Sequence, residues 1–238
     1  MSNRIPAFLN GCLNFVQSRL AQPCLLCRAR APGAPLCADC RADLPRLPAA
    51  RCPLCALPGT AAVCGACLRT PPPWQRVEAV YAYADPADLL VHALKYRGEL
   101  AIAGFLADAL ADEITRRAAP LPDLLLPMPL HPRRLRERGF NQAVHIARHL
   151  AGRLDLPLDL AACSRVRDTP PQVSLPRAAR RANIRDAFAC TPAVAGKRVA
   201  LIDDVMTSGA SLAELARTVR RAGAVEVEAW VVARALRD

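Results

Sequence analysis

Four Cys-x-x-Cys pairs constrain the fold of this chain more than any other feature of its 238 residues. Each pair places two thiolates close enough to hold two corners of a tetrahedron, so two pairs complete a zinc site with four cysteine ligands. Residues 24–67 contain all four pairs but no Phe, Trp, Tyr or Ile, so they cannot build a sufficient core alone. Bound zinc, worth about 10–16 kcal/mol in finger peptides, can supply the missing stability. The predicted ligands are Cys24, Cys27, Cys37, Cys40, Cys52, Cys55, Cys64 and Cys67.

The spacing predicts two zinc sites but leaves the pairing of their ligands open. Gaps of nine residues (28–36) and eight residues (56–63) suit a sequential arrangement, first pair with second and third with fourth. A cross-braced arrangement, first with third and second with fourth, is also compatible with the spacing. Four cysteine ligands leave no open coordination position, so both zincs are predicted to be structural. Redox chemistry is the alternative use of such pairs.

Apolar segments with strand and helix periodicity alternate after the cysteine-rich part. Strands are predicted over 77–84, 123–130, 199–202 and 225–234, and helices over 87–96, 100–117, 141–154 and 210–223. This alternation predicts an α/β fold in which helices flank a mainly parallel sheet. An arginine-rich loop is expected after residue 130, and residues 163–185, which show no period, are predicted to form an exposed arm.

Three prolines at 71–73 predict a stiff linker. We therefore expect an N-terminal extension over residues 1–22, a double zinc ribbon over 23–73 and a larger domain over 74–238. No apolar run reaches the ~18–20 residues that a membrane span requires. Polar side chains interrupt the apolar stretch at 5–20, and no small-residue cleavage site follows it. The chain is expected to be cytoplasmic, without a membrane span.

The positive charge is concentrated in two zones. The formal net charge is +11, and residues 130–185 hold twelve arginines against four carboxylates. Residues 1–73 hold eight arginines against two carboxylates. Such zones predict anionic partners, of which phosphates are the obvious class, while a solvated surface is the alternative for either zone taken alone.

Residues 199–211 carry the most specific chemistry of the chain. An apolar strand delivers two adjacent carboxylates, Asp203 and Asp204, at its C-terminal end, where open α/β sheets bind ligands. The Thr-Ser-Gly-Ala-Ser turn at 207–211 then opens a helix, so backbone N–H groups and hydroxyls converge where the helix dipole favours an anion. The combination predicts a monophosphate cradle beside two carboxylates that suit sugar hydroxyls or a metal ion. A helix cap or a chance acid pair would explain each part alone.

This stretch resembles the phosphoribosyl-pyrophosphate signature of type I phosphoribosyltransferases. From about residue 20 to its C-terminus the chain resembles the ComF family (competence protein F), in which a double zinc ribbon is joined to a phosphoribosyltransferase-like domain. Lys95, which lies in the segment HALKY at 92–96, is equally compatible with a role in the site and with a position on the surface. The motifs that carry the resemblance, in order, are PPPWQR at 71–76, HALKY at 92–96, RGFNQ at 138–142 and the segment from Arg180 to Phe188.

The resemblance implies which residues hold phosphoribosyl pyrophosphate (PRPP). The two acids are expected to hold the ribose 2′- and 3′-hydroxyls with Mg²⁺ nearby, and residues 207–211 to wrap the 5′-phosphate. Arginine suits the diphosphate because its planar fork donates bidentate, charge-assisted hydrogen bonds. The implied PRPP-binding residues are Asp203, Asp204, Val205, Met206, Thr207, Ser208, Gly209, Ala210 and Ser211. The implied residues of the pyrophosphate loop and of a flexible hood are His131, Arg133, Arg134, Arg138, Asn141, Arg167, Gln172 and Arg180.

The resemblance also implies a role in DNA uptake (natural competence) or in the handling of imported single strands. The implied cofactors are two structural Zn²⁺ ions and Mg²⁺ with PRPP. The implied partners are PRPP or a related phosphorylated ribose, single-stranded DNA, and a competence helicase or other DNA-processing proteins. No residue is identified as a general base or nucleobase reader, so the sequence leaves catalysis open. A metabolic phosphoribosyltransferase with an unknown acceptor, and a zinc-ribbon nucleic-acid-binding protein with a vestigial transferase domain, are the alternatives.

Overall fold

The structure of the chain is a computed structural model that describes residues 21–59, 61–117, 119–169 and 183–236. It divides into two compact units, Met1–Leu44 and Pro45–Asp238. The first two Cys-x-x-Cys pairs therefore belong to the smaller unit and the last two to the larger one. The domain boundaries predicted after residues 22 and 73 stay predictions. Two predicted site residues, Gln172 and Arg180, lie outside the described residues.

The described part of the smaller unit is a short antiparallel hairpin followed by one helical turn. The helical turn begins directly after Cys37, whose Sγ accepts a hydrogen bond from the amide of Cys40 at 3.5 Å. The described part of this unit buries few side chains, Cys24, Ala31, Leu36 and Leu44, as expected where metal ligands hold a segment together. The elements are β1 (Ala21–Pro23), β2 (Arg30–Pro32) and α1 (Ala38–Ala42).

The larger unit is built on a four-stranded parallel sheet with the strand order β3-β8-β7-β4. A separate antiparallel hairpin is formed by β5 and β6. The parallel sheet with its flanking helices confirms the predicted α/β class. The elements are α2 (Gly65–Arg69), β3 (Arg76–Ala82), α3 (Ala87–Arg97), α4 (Ala101–Arg116), β4 (Leu124–Pro127), α5 (Pro132–Arg138), α6 (Gln142–Leu154), β5 (Cys163–Arg165), β6 (Phe188–Cys190), β7 (Arg198–Met206), α7 (Ala210–Arg221) and β8 (Glu226–Arg234).

Both faces of the sheet are buried. In β7, Val199 and Leu201 join one hydrophobic cluster with Leu215 of α7. The alternate residues Ala200 and Ile202 are also completely buried, and side chains alternate between the two faces of a strand. The helices α4 and α6 pack against each other and on the sheet. Parallel strands covered on both sides are expected to be continuous apolar runs, which explains the strand at Val199–Ile202.

The segment that follows β4 is a helix and not the predicted loop. The side chain of His131 accepts a hydrogen bond from the amide of Arg133 at 3.4 Å, which caps the start of α5. Pro132 occupies the first helical position, where its missing N–H costs nothing. Gly139 then ends the helix in the left-handed conformation. Hydrophobic periodicity did not predict this short helix, because its arginines give it no apolar face.

Two further differences concern the strand ends. The strand predicted over 199–202 runs on to Met206, because β8 pairs with it that far, so both acids lie within β7 and not after it. The ends of the predicted arm, at 163–165 and 188–190, pair as the β5–β6 hairpin.

The described helices include none that is long and apolar enough to cross a bilayer.

The third and fourth Cys-x-x-Cys pairs are joined to the edge of the sheet. The amide of Val77 in β3 donates to the carbonyl of Pro53 at 2.8 Å. Arg51, next to the first cysteine of this group, forms an ion pair with Glu113 of α4. These contacts explain why this half of the cysteine-rich segment belongs to the larger unit.

Candidate functional site

The predicted cysteine ligands form two groups of four, and their pairing is sequential. The four ligand atoms of each group all lie within 4.8 Å of one another. Between the pairs, the Sγ atoms of Cys27 and Cys37 are 3.6 Å apart, and those of Cys55 and Cys64 are 3.7 Å apart. A tetrahedral site with Zn–S bonds of about 2.3 Å has sulfur–sulfur edges of about 3.8 Å, so both groups fit zinc. The first cysteine cluster is Cys24, Cys27, Cys37 and Cys40, and the second cysteine cluster is Cys52, Cys55, Cys64 and Cys67.

A backbone amide favours the thiolate form of one ligand of the second cysteine cluster, Cys64, whereas burial raises the pKa of two others, Cys55 and Cys67. The amide of Cys67, in the first turn of α2, lowers the pKa of Cys64 to about 7. The amide of Cys64 donates to the Sγ of Cys52 at 3.3 Å. Because zinc binds the thiolate form, a lowered pKa favours loading at neutral pH.

The turn at residues 207–211, called the phosphate loop below, connects β7 to α7. Gly209 precedes the helix with a φ of +74°, in the left-handed region that glycine adopts without strain. The side-chain oxygen of Ser208 accepts a hydrogen bond from the amide of Ala210 at 3.4 Å. A Cβ atom at Gly209 would lie 3.4 Å from the indole ring of Trp74. The backbone conformation therefore favours glycine here, and an added Cβ atom would be in ordinary van der Waals contact with the indole ring.

The two acids of β7 lie side by side, and their carboxyl groups interact with each other. Asp204 is buried, with its Oδ2 atom 2.5 Å from Nζ of Lys95 and its Oδ1 atom 3.5 Å from Nε2 of Gln142. Asp203 is only partly buried and accepts a hydrogen bond from the amide of Asp204 at 2.9 Å. Helices α3 and α6 thus supply the side chains that hold Asp204.

The electrostatics of the acid pair are asymmetric. Burial would raise the pKa of Asp204, but the neighbouring Lys95 outweighs it and holds this pKa below its ordinary value. Burial would lower the pKa of Lys95, and Asp204 outweighs it and raises this pKa. Burial and the charge of Asp204 hold the pKa of Asp203 well above its ordinary value. The protein therefore neutralises one acid itself and leaves the charge of the other incompletely compensated.

A magnesium ion suits the acid that the protein does not neutralise. Mg²⁺ prefers carboxylate oxygens and usually completes its shell with water and substrate phosphates. The raised pKa of Asp203 marks a carboxylate whose negative charge an added cation would stabilise. Asp203 is thus the residue of the pair that would hold the ion, whereas Lys95 already occupies the neighbourhood of Asp204.

Three of the predicted pyrophosphate and hood residues lie together at the start of α5. Arg133 contacts Asp168 of the arm at 3.2 Å and Glu137 at 3.0 Å. The Nδ1 atom of His131 lies 3.6 Å from the same aspartate. Arg134 contacts Glu137 at 3.0 Å. Arg133 and Arg134 therefore each have a carboxylate partner that an incoming diphosphate could replace.

Two other predicted residues connect α5 with the acid pair and the strand β4. Arg138 donates to the Oε1 atom of Gln142 at 2.6 Å, and Gln142 reaches Asp204. Asn141 caps the start of α6 through the amide of Ala143 at 3.0 Å, and its side-chain nitrogen donates to the carbonyl of Met128 at 3.0 Å. The predicted Arg167 donates instead to the carbonyl of Arg185 within the arm.

Sequence reasoning missed several residues that the fold brings to this site. The sequence contains Gln142 in the RGFNQ motif without predicting it as a site residue, and it does not decide between a site and a surface position for Lys95. Arg165 lies over the ring of Phe188, and the charges of Asp168 and Asp203 both act on it. The HALKY and RGFNQ motifs contained a signal for Lys95 and Gln142. No local pattern identified Arg165, since it lies in a stretch with many other arginines.

A cavity of about 660 Å³ adjoins the phosphate loop. Its walls come from the second cysteine cluster, the prolines at 71–73, Trp74 and one face of α7. Arginine side chains contribute from four parts of the larger unit. They are Arg69, Arg185, Arg217, Arg221 and Arg234.

Comparison with known proteins gives one domain match and several relatives along most of the chain. The phosphoribosyl transferase domain family matches residues 139–238. The DNA utilization protein YhgH of Salmonella typhi is 40% identical over 191 residues, which cover 78% of this chain and 84% of that protein. Competence protein F of Haemophilus influenzae is 31% identical over 234 residues, which cover 94% of this chain and all of that protein. Competence protein ComFC of Bacillus subtilis is 28% identical over 200 residues, or 81% of this chain and 80% of that one.

Solved structures show more distant likenesses. The glutamine phosphoribosylpyrophosphate amidotransferase of B. subtilis, complexed with ADP and GMP, aligns at a TM-score of 0.39 and 19% identity, over 56% of this chain and 27% of that chain. A purine phosphoribosyltransferase from Pyrococcus horikoshii aligns at a TM-score of 0.35 and 16% identity, over 55% of this chain and 80% of that chain. The fold assignment therefore rests on the family match, the parallel sheet and the two cysteine clusters.

Proposed function

The chain belongs to the ComF (competence protein F) family, and from that premise we propose that its larger unit binds PRPP with Mg²⁺ in the cytoplasm. The phosphate loop takes the 5′-phosphate, and the acids Asp203 and Asp204 take the ribose hydroxyls. Asp203 would hold Mg²⁺, which would supply positive charge to the diphosphate. The exposed arginines of α5 contribute further positive charge to it.

One observation carries this proposal: a left-handed glycine turn and a pair of acids, of which Asp204 is buried, occupy the same strand end. Gly209, at a φ of +74°, opens α7 within a few residues of Asp204. Converging amides favour a phosphate, and carboxylates would repel it. A ligand that uses both must therefore carry its phosphate and its hydroxyls at separate positions, as a phosphorylated pentose does.

Isothermal titration calorimetry with PRPP and Mg²⁺ tests the assignment. Asp204→Asn removes a charged acceptor, and Ser208→Asp places a negative charge in the cradle. A charged hydrogen bond is worth about 1.5–3 kcal/mol, so each variant should weaken binding about 10–100-fold. Undiminished affinity in both variants would refute the assignment of the site.

Arg198→Ala is the matched control for these variants. Arg198 begins β7, at the opposite end of the strand from the phosphate loop, and pairs with Asp123 at 2.7 Å on the surface. An exposed pair of this kind contributes about 0–1 kcal/mol to stability. We expect the control to keep the affinity of the wild type. An equal loss there would mean that general destabilisation explains the other variants.

Phosphoribosyl transfer is a separate question from binding. In a transfer, the bond between the anomeric carbon and pyrophosphate breaks and a bond to an acceptor forms, through an oxocarbenium-like transition state. Donors aimed at the leaving diphosphate would lower the barrier, and Arg133 and Arg134 are the residues that we propose as such donors. Pyrophosphate release over a panel of nucleobases and small amines measures this activity. Release with any acceptor would favour a metabolic transferase over a binding protein.

Single-stranded DNA is the second partner in this proposal. The relatives are named for DNA utilization and competence, and arginines line the cavity beside the phosphate loop. Arg69 and Arg185 are both exposed there. Such side chains suit the phosphates of a single strand, and the role that follows is handling of imported DNA, together with a helicase or another DNA-processing protein.

Salt-dependent binding of a labelled oligonucleotide tests the DNA partner. For single strands the logarithm of affinity falls with the logarithm of salt by about 0.7 per neutralised phosphate. Arg69→Ala and Arg185→Ala should each reduce that slope by about 0.7 if they contact phosphates. Arg153→Ala, whose exposed side chain pairs with Asp112 at 3.7 Å on another surface, is the control. A slope that neither cavity variant changes would exclude this surface.

A vestigial transferase domain predicts a different pattern. DNA would still bind, but PRPP would not, and Asp204→Asn would change neither measurement. DNA binding with retained, Asp204-dependent PRPP affinity would support both parts of the proposal together.

A further inference from the structure

The phosphate loop depends on the direction of its backbone amides, so whatever orients those peptides determines the site. Arg234, the last residue of β8, lies directly beside the loop and is only 3% exposed. Its Nη1 atom donates to the carbonyl of Met206 at 2.8 Å and to the carbonyl of Thr207. One buried guanidinium thus binds two consecutive peptides at the start of the loop.

These hydrogen bonds fix the direction of two amides. The peptides that follow Met206 and Thr207 are trans, and in a trans peptide the C=O and N–H point in opposite directions. With both carbonyls directed at Arg234, the amides of Thr207 and Ser208 point away from it. They are two of the amides that the proposed 5′-phosphate requires.

The same guanidinium is bound on its other side by the second cysteine cluster. Its Nε atom donates to the carbonyl of Cys55 at 2.7 Å. Cys55 is a predicted zinc ligand, so the carbonyl belongs to the turn that a metal would hold in place. A single side chain therefore joins the metal-binding turn to the peptides of the phosphate loop.

Trp74 makes a second connection between the same two regions. Its indole N–H donates to the carbonyl of Leu54 at 2.9 Å. Its ring lies against Gly209, where a Cβ atom would approach it to 3.4 Å. Leu54 and Cys55 are neighbours, so two adjacent carbonyls of one Cys-x-x-Cys turn bind the two side chains that support the loop.

We propose that the second cysteine cluster positions the phosphate loop through Arg234 and Trp74, so that metal in this cluster is required for tight binding of the phosphorylated ligand. In this proposal the cluster acts on the ligand only through Arg234 and Trp74, so both side chains are positioning residues. The inference rests on the proposed PRPP site for its effect on affinity. The order of the loop itself can be measured without any ligand.

Hydrogen exchange of the peptide that contains the phosphate loop is the first readout. Cys55→Ser and Arg234→Met should each speed exchange of the loop amides by at least about tenfold, which corresponds to about 1.4 kcal/mol. Cys27→Ser removes the equivalent ligand from the first cysteine cluster, and its effect on the loop should be at least about tenfold smaller. Equal effects of the two cysteine variants would overturn the proposal.

Milder variants keep the test decisive if a variant fails to fold. Trp74→Phe removes the N–H donor and keeps a ring against Gly209, and Arg234→Lys keeps one donor at the loop. We expect both to speed loop exchange less than Arg234→Met does, with unchanged zinc content. Arg117→Leu removes another buried arginine, which pairs with Glu228 at 2.6 Å, and controls for lost stability. Loop exchange as fast in that control as in Arg234→Met would contradict a positioning role.

Calorimetry with PRPP and Mg²⁺ is the second readout. The proposal is supported if Cys55→Ser and Arg234→Met weaken PRPP binding, and if the loss of affinity grows with the increase in the exchange rate of the loop amides. If the wild-type protein binds no PRPP, the proposed function fails while the exchange measurements still decide the positioning role. If PRPP binds equally well to the wild type and to a folded Cys55→Ser variant that has lost one zinc per chain, the positioning proposal fails and the proposed function stands.

Discussion

The two cysteine clusters have the same ligands and nearly the same spacing, but they belong to different compact units. The first lies with a hairpin and one helical turn within Met1–Leu44. The second lies in the unit of the parallel sheet, where Arg51 pairs with Glu113 and Arg234 binds the carbonyl of Cys55. Ligand identity therefore does not determine what a structural metal site does. The hydrogen bonds made by the turn around the metal decide whether it also supports a distant site.

The largest expected difference between the clusters concerns stability. The chain has two tryptophans, Trp74 and Trp230, and both belong to the larger unit, so tryptophan fluorescence reports on that unit alone. Because the sheet has its own core, Cys55→Ser should lower the free energy of unfolding by about 3–5 kcal/mol, less than zinc contributes to an isolated finger. Cys27→Ser should shift the same transition by less than about 1 kcal/mol.

Thermal and urea unfolding followed by tryptophan fluorescence measure this difference. Zinc content, which should fall from two ions per chain to one in each variant, is the control that both substitutions act as intended. Equal shifts of the fluorescence transition in the two variants would remove the distinction between the clusters.

A substitution at Lys95 tests the acid pair, the part of the proposed site that the second cysteine cluster is not expected to support. Lys95→Met leaves Asp204 buried without its cation, and breaking such a pair costs on the order of 2–3 kcal/mol when one partner is partly exposed. In the wild type, Asp204 contributes stability that is lost as the pH falls below its ordinary pKa, and Lys95 contributes stability that is lost at high pH. The pair therefore stabilises the protein throughout the neutral range.

The variant should show a distinctive pH dependence. Without Lys95, burial raises the pKa of Asp204, so its charge destabilises the variant increasingly as the pH rises. The stability difference from the wild type should be largest near pH 8 and should shrink toward pH 5, as urea unfolding would show. Lys95→Arg, which keeps a cation, is the control. Since the pair shares no partner with the second cluster, the effects of Lys95→Met and Cys55→Ser should add, and strong coupling between them would contradict this independence.

The smallest expected effect comes from the left-handed residue of the phosphate loop. Gly209→Ala places a side chain at a φ of +74°, where its Cβ atom would be in ordinary van der Waals contact with the indole ring of Trp74 at 3.4 Å. The left-handed conformation costs about 1–2 kcal/mol for a residue with a Cβ atom, so we expect a loss of that size in the free energy of unfolding. The loss should be the same in the Trp74→Phe background. A much smaller loss in that background would show that a clash with the ring, and not the backbone conformation, disfavours a side chain here.

Local patterns predicted most of the fold. The strand at 199–202 and the helix at 210–223 follow from hydrophobic periodicity, which is a property of neighbouring residues and needs no knowledge of tertiary contacts. The two-face burial of β7 then explains why the run was continuously apolar. The short helix α5 escaped this reasoning because its start depends on the capping side chain of His131 and not on an apolar face.

Contacts between distant residues could not be predicted from the sequence. Arg234 meets Cys55 across 179 positions, and nothing in the surrounding strand distinguishes it from a surface arginine at a strand end. The sequential pairing of the cysteines is a second example, because the spacing is compatible with both arrangements and only the positions of the sulfur atoms distinguish them. Lys95 was a borderline case, since its motif indicated a role but only the fold brings it to Asp204.

A crystal structure of the protein with PRPP and Mg²⁺ tests the central claim most directly. We expect the 5′-phosphate to accept hydrogen bonds of about 3 Å from the amides of the phosphate loop, including those of Thr207 and Ser208, with the ribose hydroxyls at the acid pair. Arg234 should keep its bonds to Met206 and Cys55 in that complex. A phosphate bound elsewhere, or amides of the loop turned toward Arg234, would contradict the account.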